Sequence, residues 1–443
     1  MIINYLKKAA LLALLNISFA QAQPFFPVGS GVDQPIICLH ADTITNILFA
    51  GGDFTLAGNI SCNYIASWNG SVWDSTNNQL LSHVRSIEEL NNEIYIGGSI
   101  GWFDTSGNII APYVAKWDSS INAWIDFGAN ANATTFKLYT YNNSLYIMGQ
   151  FDSIGGIYSP MIGRYDGTNW YAFPPLDTSG GGYAIDAAMF YNGELYVGGN
   201  FNSQIASNMK DIAKWNGISW LSVGSGLSGG NTWVNDFTIY QGKLIVAGLF
   251  SAASGDPGNN IAAWNGIQWS QLGSAITTGH VKCLQVFNNE LWVGGAFSDA
   301  GGIAVNFLAK WDGQQWIDPG AGLNGVVTSM AVLGNDLYIG GSSTTSNGVS
   351  INRIIRYNPL TGFQSLEPEK NIIEIFPNPA ADYIAISDKE CKNISVFNSL
   401  GATVKSFNKI NSSIYVADLP VGLYLIKFED NNGNNQTARF IKQ

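Results

Sequence analysis

Leu291-Trp292-Val293-Gly294-Gly295-Ala296-Phe297, followed by Leu308-Ala309-Lys310-Trp311-Asp312-Gly313-Gln314-Gln315-Trp316, is one copy of a phrase that the chain repeats. The glycine closing its first half recurs at Gly52, Gly98, Gly149, Gly199, Gly248, Gly295 and Gly341, in steps of 46, 51, 50, 49, 47 and 46 residues. The aromatic of its second half recurs at Trp68, Trp117, Tyr165, Trp215, Trp264, Trp311 and Tyr357, in steps of 49, 48, 50, 49, 47 and 46. Two independent landmarks keep one beat. Repeats of this period with strand-like content predict the blades of a β-propeller.

Each unit reads as four strands. Val281 to Phe287 is apolar and alternates irregularly; a turn follows at Asn288-Asn289, and Leu291 to Gly295 makes the second strand. Leu308 to Trp311 is the third, Asp312-Gly313 turns the chain, and Trp316 opens the fourth. Asn and Gly suit these turns because they tolerate positive φ. Four strands in each of seven units predict a closed toroid, which hides the sheet edges. Phe25 to Val32 resembles the fourth-strand segment Trp220 to Leu227 yet precedes the first full unit. It is expected to complete the seventh blade, with Phe363 to Leu366 competing for that place.

The Gly-Gly doublet followed by paired aromatics resembles the kelch type of propeller. Trp117 to Trp124 has kelch-like spacing, whereas Trp215 to Trp220 is tighter. The tighter pair is closer to the kelch-like propellers of fungal polarity markers and of secreted bacterial proteins. The resemblance spans residues 24 to 366. It implies a fold and leaves function open, since propellers serve binding, scaffolding and catalysis alike.

The ends give an address. Lys7-Lys8, the apolar run Ala9 to Ala20 and the site Ala20-Gln21-Ala22 read as a signal peptide over residues 1–22. Its core is too short to span a bilayer. No later segment is apolar enough to cross a membrane. The beat stops by Asn371. Short strands follow: Ile372 to Phe376, Tyr383 to Ile386, Asn393 to Phe397, Ile414 to Ala417 and Gly422 to Lys427. They predict a small Ig-like β-sandwich over residues 367–443. This tract resembles the C-terminal sorting domain of the type IX secretion system of Bacteroidetes. The resemblance rests on Pro377-Asn378-Pro379, Gly401, Gly422 with Tyr424, Lys427 and the terminal Arg439 to Lys442 strand. It implies contact with that secretion machinery, passage across the outer membrane, and release or surface attachment. The expected fold is thus all-β: a seven-bladed β-propeller over residues 23–366, then the sandwich.

Charge and composition exclude some classes. Residues 23–370 hold 12 Lys and Arg against 25 Asp and Glu, which argues against nucleic acid and anionic membranes. The four cysteines, Cys38, Cys62, Cys283 and Cys391, lack zinc spacing. Cys38 and Cys62 fall in one unit and are candidates for a disulfide. With three histidines, of which His83 and His280 share a column and His40 stands alone, metal and Ser-His-Asp sites lack material. Asp256 to Asn260 and Asp430 to Asn434 read as turns and lack EF-hand spacing. No metal or cofactor is expected.

The candidate sites are what departs from the repeat. Aromatics that recur in every unit are packing; Trp102, Trp233 and Trp292 stand off the columns, and Trp102 is a candidate ligand contact. The cations Lys116, Arg164, Lys214, Lys310 and Arg356 form a column that either pairs with acids or lines an anionic-ligand ring. Asp186 and Asp236 map to neighbouring first strands and are a candidate carboxylate pair. The connection Tyr171 to Ala184, with Pro174-Pro175, Asp177 and Gly180 to Gly182, is the most unusual loop, followed by Gly101 to Tyr113. Both loops, with Trp102, Tyr171, Pro174, Pro175 and Asp177, are candidate recognition residues. These features favour an exported binding or adhesion module for a glycan or surface protein. The alternative is an extracellular carbohydrate-active enzyme.

Overall fold

The computed structural model describes residues 24–443 apart from 77–78, 104–106, 177–183, 202–208, 230–231, 254–257, 360–374, 377–378, 387–391, 399–401, 410–412 and 430–434. The signal-peptide reading, Asp177, the Gly180 to Gly182 run, Pro377, Asn378, Gly401 and Phe363 to Leu366 lie outside the described residues. Two compact units separate, Gln23–Leu360 and Thr361–Gln443.

The first unit contains seven four-stranded antiparallel sheets among its described residues. In the first six the strands pair in chain order. Sheet six, for example, runs His280–Phe287, Glu290–Ala296, Leu308–Trp311 and Trp316–Ile317. The other first strands are Ile36–Asp42, Val84–Leu90, Thr135–Tyr141, Ala184–Tyr191, Trp233–Tyr240 and Val327–Leu333. Each neighbours the first strand of the sheets before and after it, and Ile36–Asp42 neighbours Val327–Leu333, so the cycle closes. The seventh sheet takes its fourth strand from the start of the unit: Phe25–Pro27 pairs with Ile354–Tyr357. Phe25 then stacks on Tyr357, 4.9 Å between ring centres, where the other sheets place a tryptophan.

The core lies in the seams. One buried apolar cluster fills each gap between consecutive sheets, including that between sheets seven and one. The second strands are therefore covered on both faces, as in Ser144–Gly149, which is buried throughout. The paired aromatics of the phrase build these seams. Trp311 and Trp316 sit 5.3 Å apart, and Trp316 Nε1 donates to the Leu272 carbonyl, 3.1 Å away in the connection from sheet five. Trp73, Trp220 and Trp269 donate likewise to Val28, Pro174 and Val223. Each such ring removes about 150–250 Å² from water, and its one polar atom is satisfied.

The Gly-Gly doublet has two causes. A Cβ on Gly294 would lie 2.4 Å from Val327 Cγ1 of the next sheet, so the first glycine admits the seam. A Cβ on Gly295 would lie 2.3 Å from the His280 carbonyl oxygen, which no backbone can concede. The second clash recurs at Gly52, Gly98, Gly149, Gly199, Gly248 and Gly341. The hairpin turns match their sequences: Asn288 and Asn289 have φ of 51° and 61°. In the later turn the Asp312 carboxylate accepts from the Gln314 and Gln315 N–H groups, and Asn69, Asp166, Asn216 and Asn265 do the same.

The second unit holds two antiparallel sheets over one core. Ile375–Phe376, Tyr383–Ile386 and Ile414–Tyr415 form one; Lys392–Phe397, Thr403–Lys409, Gly422–Glu429 and Asn435–Lys442 form the other. Gly422–Glu429 alternates, with Tyr424, Ile426 and Phe428 inward on Ile384, Ile394 and Phe440. Tyr424 stacks on Phe440 and its hydroxyl donates to the Pro420 carbonyl at 2.8 Å.

Three expectations need correction. Cys38 and Cys62 are free and sit in different seams, Cys38 between sheets one and two and Cys62 between sheets seven and one, so no disulfide joins them. Trp102 is not a loop residue. It opens a short strand, Trp102–Phe103, and is buried between sheets one and two. Trp292 is fully buried beside Tyr357.

Candidate functional site

Every first strand breaks its register against the second at the same place. The shifts fall between Ile36/Cys38, Val84/Ser86, Thr135/Lys137, Ile185/Ala187, Val234/Asp236, Val281/Cys283 and Val327/Ser329. Each is a β-bulge, and a bulge re-aims one side chain out of the pleat. It also drives the preceding carbonyl onto the opposing Gly Cα, as His280 does to Gly295. The re-aimed residues are Ile37, Arg85, Phe136, Asp186, Asn235, Lys282 and Thr328. All seven line one cavity of ≈ 460 Å³ enclosed by the seven first strands.

This ring is polar and cross-linked. Trp233 Nε1 donates to Asp186 Oδ2 at 2.7 Å. Asn235 Nδ2 donates to the Val281 carbonyl at 2.7 Å, and Thr328 Oγ1 to the Ile36 carbonyl at 2.6 Å. The Arg85 guanidinium lies 4.9 Å from the Phe136 ring centre. Asp236 accepts from the Leu284 N–H of the next sheet at 2.8 Å, and Lys137 also lines the cavity.

Burial governs the charges. It pushes the Asp186 carboxyl up to about 6, against the pull of the Trp233 indole, Lys282 and Arg85. It raises Asp236 too, against Lys137 and two backbone N–H groups. It lowers the Lys282 ammonium, although Asp186 opposes that. Two buried polar atoms at this cavity, Arg85 Nε and His40 Nε2, have no hydrogen-bond partner among the described residues. Unpaired polar atoms facing a polar cavity suit a polar ligand.

The structure thus brings Asp186 and Asp236 to one cavity, and Trp233, which is 39% exposed, touches it only through its hydrogen bond to Asp186. It leaves the other candidates apart. Tyr171 lies on the fourth strand of sheet three, with its hydroxyl donating to Asp166 Oδ2 at 2.7 Å. Pro174 is exposed, and its carbonyl receives Trp220; Pro175 is half-buried. The cation column is paired: Lys116 with Glu93, Lys214 with Glu194, Lys310 with Glu290 and Arg356 with Asp336, at 2.7–3.1 Å. Arg164 is the exception and stacks on Tyr171 instead. In the second unit Lys427 is exposed over Phe397. Pro379 leads into Ala380, whose N–H donates to the Ile441 carbonyl at 2.7 Å. Among the described residues no cluster of His, Cys, Asp or Glu could hold a metal ion. Nor is any described helix long and apolar enough to cross a membrane.

Sequence reasoning missed Arg85, Asn235 and Lys282 as members of one site. A signal was present: in strand register their column is one in which no two units agree, although the neighbouring column His40, Glu88, Tyr139, Met189, Thr238, Gln285 and Ala331 varies as fully.

Residues 374–443 match the family described as the secretion system C-terminal sorting domain. The tail therefore marks an exported cell-surface protein and implies engagement with the type IX secretion machinery. No curated protein matches the chain in sequence. Among solved structures, the computationally designed Ika8 protein is 13% identical, with 93% of this chain and 98% of that chain covered and a TM-score of 0.39. The extracellular domain assigned to the hybrid two component system BT3049 of B. thetaiotaomicron is 12% identical, covering 92% of this chain and 67% of that chain at TM-score 0.37. That of BT4673, from the same organism, is 13% identical at TM-score 0.43; 95% of this chain is covered, spanning 58% of that chain.

Proposed function

We propose that this chain is a surface-displayed or secreted binding module: a kelch-like seven-bladed propeller over residues 23–366, exported by a signal peptide and an Ig-like sorting sandwich over 367–443. The observation that carries the reading is the bulge ring. Seven side chains of seven different types converge on one polar cavity, in a unit whose glycine, turn and paired-aromatic columns repeat. A scaffold that keeps its seams constant and varies the lining of a cavity is suited to recognition. The cavity's mixture of cations (Arg85, Lys137, Lys282), carboxyls (Asp186, Asp236) and an amide (Asn235) fits a polar ligand such as a glycan. Tyr171, Pro174 and Pro175 lie apart from that cavity and are a separate candidate surface.

The test is a polysaccharide and glycoprotein panel presented to the full chain. Saturable retention that Asp186→Asn or Lys282→Gln weakens at least tenfold supports the reading. Retention indifferent to both rejects the cavity as the site. One observation favours a second reading. A carboxyl held near 6 in the same cavity as a second raised carboxyl offers the two carboxyls, one of them a general acid, that a glycoside hydrolase or lyase requires. Product release from the same panel, lost in Asp186→Asn, would establish the enzyme.

A further inference from the structure

The seam between sheets three and four departs from its neighbours at three points. In the cation column, Lys116, Lys214, Lys310 and Arg356 each meet an acid at the start of the second strand; sheet three has Ser144 there. Arg164 therefore has no carboxylate within ion-pair distance among the described residues. Its guanidinium lies 4.0 Å from the Tyr171 ring centre and beside the Tyr146 hydroxyl, and its buried Nε has no partner.

The second departure is a tyrosine. Tyr191 and Tyr240 close their first strands by donating across the next seam, to the Gly242 and Asn289 carbonyls. Their counterpart Tyr141 crosses its seam differently, stacking on Phe190 of sheet four at 3.8 Å between ring centres. The third is a missing contact between turns. Asn91 reaches Gly167, Asn192 reaches Gly266, and Gln241 reaches Gly313, whereas nothing stands within 4 Å of a Cβ placed on Gly217 in sheet four, as on Gly70 in sheet one. The seam is consequently open. It holds a groove of ≈ 390 Å³ with Arg164 and Tyr171 on one side, Asn216-Gly217 on the other, and Phe173 and Trp215 between.

The nearest acid is already engaged. Asp166 accepts from the Tyr171 hydroxyl and from the Thr168 and Asn169 N–H groups, which keeps Tyr171 upright against Arg164. What remains is a planar cation with free donor capacity above an aromatic floor. A guanidinium fork suits a carboxylate, and the C–H face of a sugar ring suits an aromatic wall.

We propose that this groove is a second binding site, separate from the central cavity, for a carboxylate-bearing sugar ring: the carboxylate on Arg164, the ring against Phe173 and Trp215. It rests on the recognition reading only in making glycans the ligand class. The site is distinct because its residues come from the third and fourth strands and the turns of two sheets, not from the bulge column.

The experiment titrates an oligogalacturonate and a neutral oligogalactoside of equal length into the full chain by calorimetry. The acidic probe is expected to bind at least about tenfold tighter, the scale of one charge-assisted pair. Arg164→Gln should lower its affinity at least tenfold. Ser144→Glu, which restores the acid present in the other four sheets, should do the same with the seam intact. Lys310→Gln should stay within twofold. Equal affinity for the two probes would overturn the proposal. So would full binding in Arg164→Gln or Ser144→Glu. Loss on Asp186→Asn with Arg164→Gln unaffected would move the ligand to the cavity, overturning this site and keeping the recognition reading. No binding of either probe would overturn this site, while the wider panel still decides the recognition reading.

Discussion

Gly295 and Lys282 face each other across one bulge, and they obey opposite rules. At the position of Gly295 all seven sheets carry glycine; at the position of Lys282 no two sheets carry the same residue. The backbone event is shared. The bulge presses a carbonyl onto the glycine and at the same stroke throws one side chain into the cavity. The glycine side is closed by atoms that cannot move, so only one residue fits. The cavity side is bounded by space, so the scaffold tolerates any residue there. Constancy in the seams and variety at the centre follow from one geometric device.

The seams should fail hardest. Trp316→Ala removes a buried indole and one of the two hydrogen bonds to the Leu272 carbonyl, that from the Ala275 N–H remaining, at a cost of about 3–5 kcal/mol. Urea unfolding of the full chain checks this. A midpoint shift matching less than about 1 kcal/mol would show that the seam closes over the loss. Gly295→Ala should follow, at about 2–3 kcal/mol, since the methyl meets the His280 carbonyl rather than a flexible side chain. Lys282→Ala, directly opposite, should leave stability nearly unchanged. Equal losses at 295 and 282 would break the comparison.

The seam rules were legible in the sequence because they repeat. The glycines, the Asn turns and the paired tryptophans recur on a fixed beat, and each has a local cause that acts in every sheet. The order Phe25–Pro27 as closing strand was legible for the same reason, through its likeness to Trp220 to Leu227. Trp292 was misread because it substitutes for the buried Tyr95, Tyr146, Tyr196 and Tyr338 in a column that also holds Phe49 and Ile245, so the column is apolar and mostly aromatic without repeating one letter. Trp102 was misread because its short hairpin is offset. It occupies the inward slot that Ala57, Ile154 and Ala300 fill in theirs. The bulge was hidden for a different reason. It is a relation between two strands, and in one strand it leaves only an irregular alternation. Without it, Arg85, Asn235 and Lys282 had no visible reason to meet.

The cavity side yields a smaller and pH-dependent effect. The folded-state pKa of Asp186, about 6, lies above its unfolded value of 3.8. Between those values the folded state holds the proton and the unfolded state releases it, so stability falls as pH rises through that window. The loss is on the order of 2 kcal/mol and is complete above the folded pKa. Asp186→Asn cannot ionise and should flatten this contribution. Unfolding measured at pH 4.5 and pH 7 in both chains checks the sign; a wild-type chain that gains stability over that interval relative to the variant would contradict it.

The smallest effect is expected where the two rules meet, at the cation column. Lys310 and Glu290 are half-buried, 2.9 Å apart, on neighbouring strands of sheet six. Such pairs contribute about 0.2–1 kcal/mol, because solvent screens them and two long side chains must be held still. Lys310→Gln should therefore cost less than 1 kcal/mol, and salt should shrink the difference. Arg164→Gln breaks no ion pair at all, yet it sits at the same column. Its effect on stability should be as small and insensitive to salt. If Arg164→Gln instead shows the larger, salt-dependent loss, then sheet three neutralises its cation after all, and the column obeys the seam rule throughout.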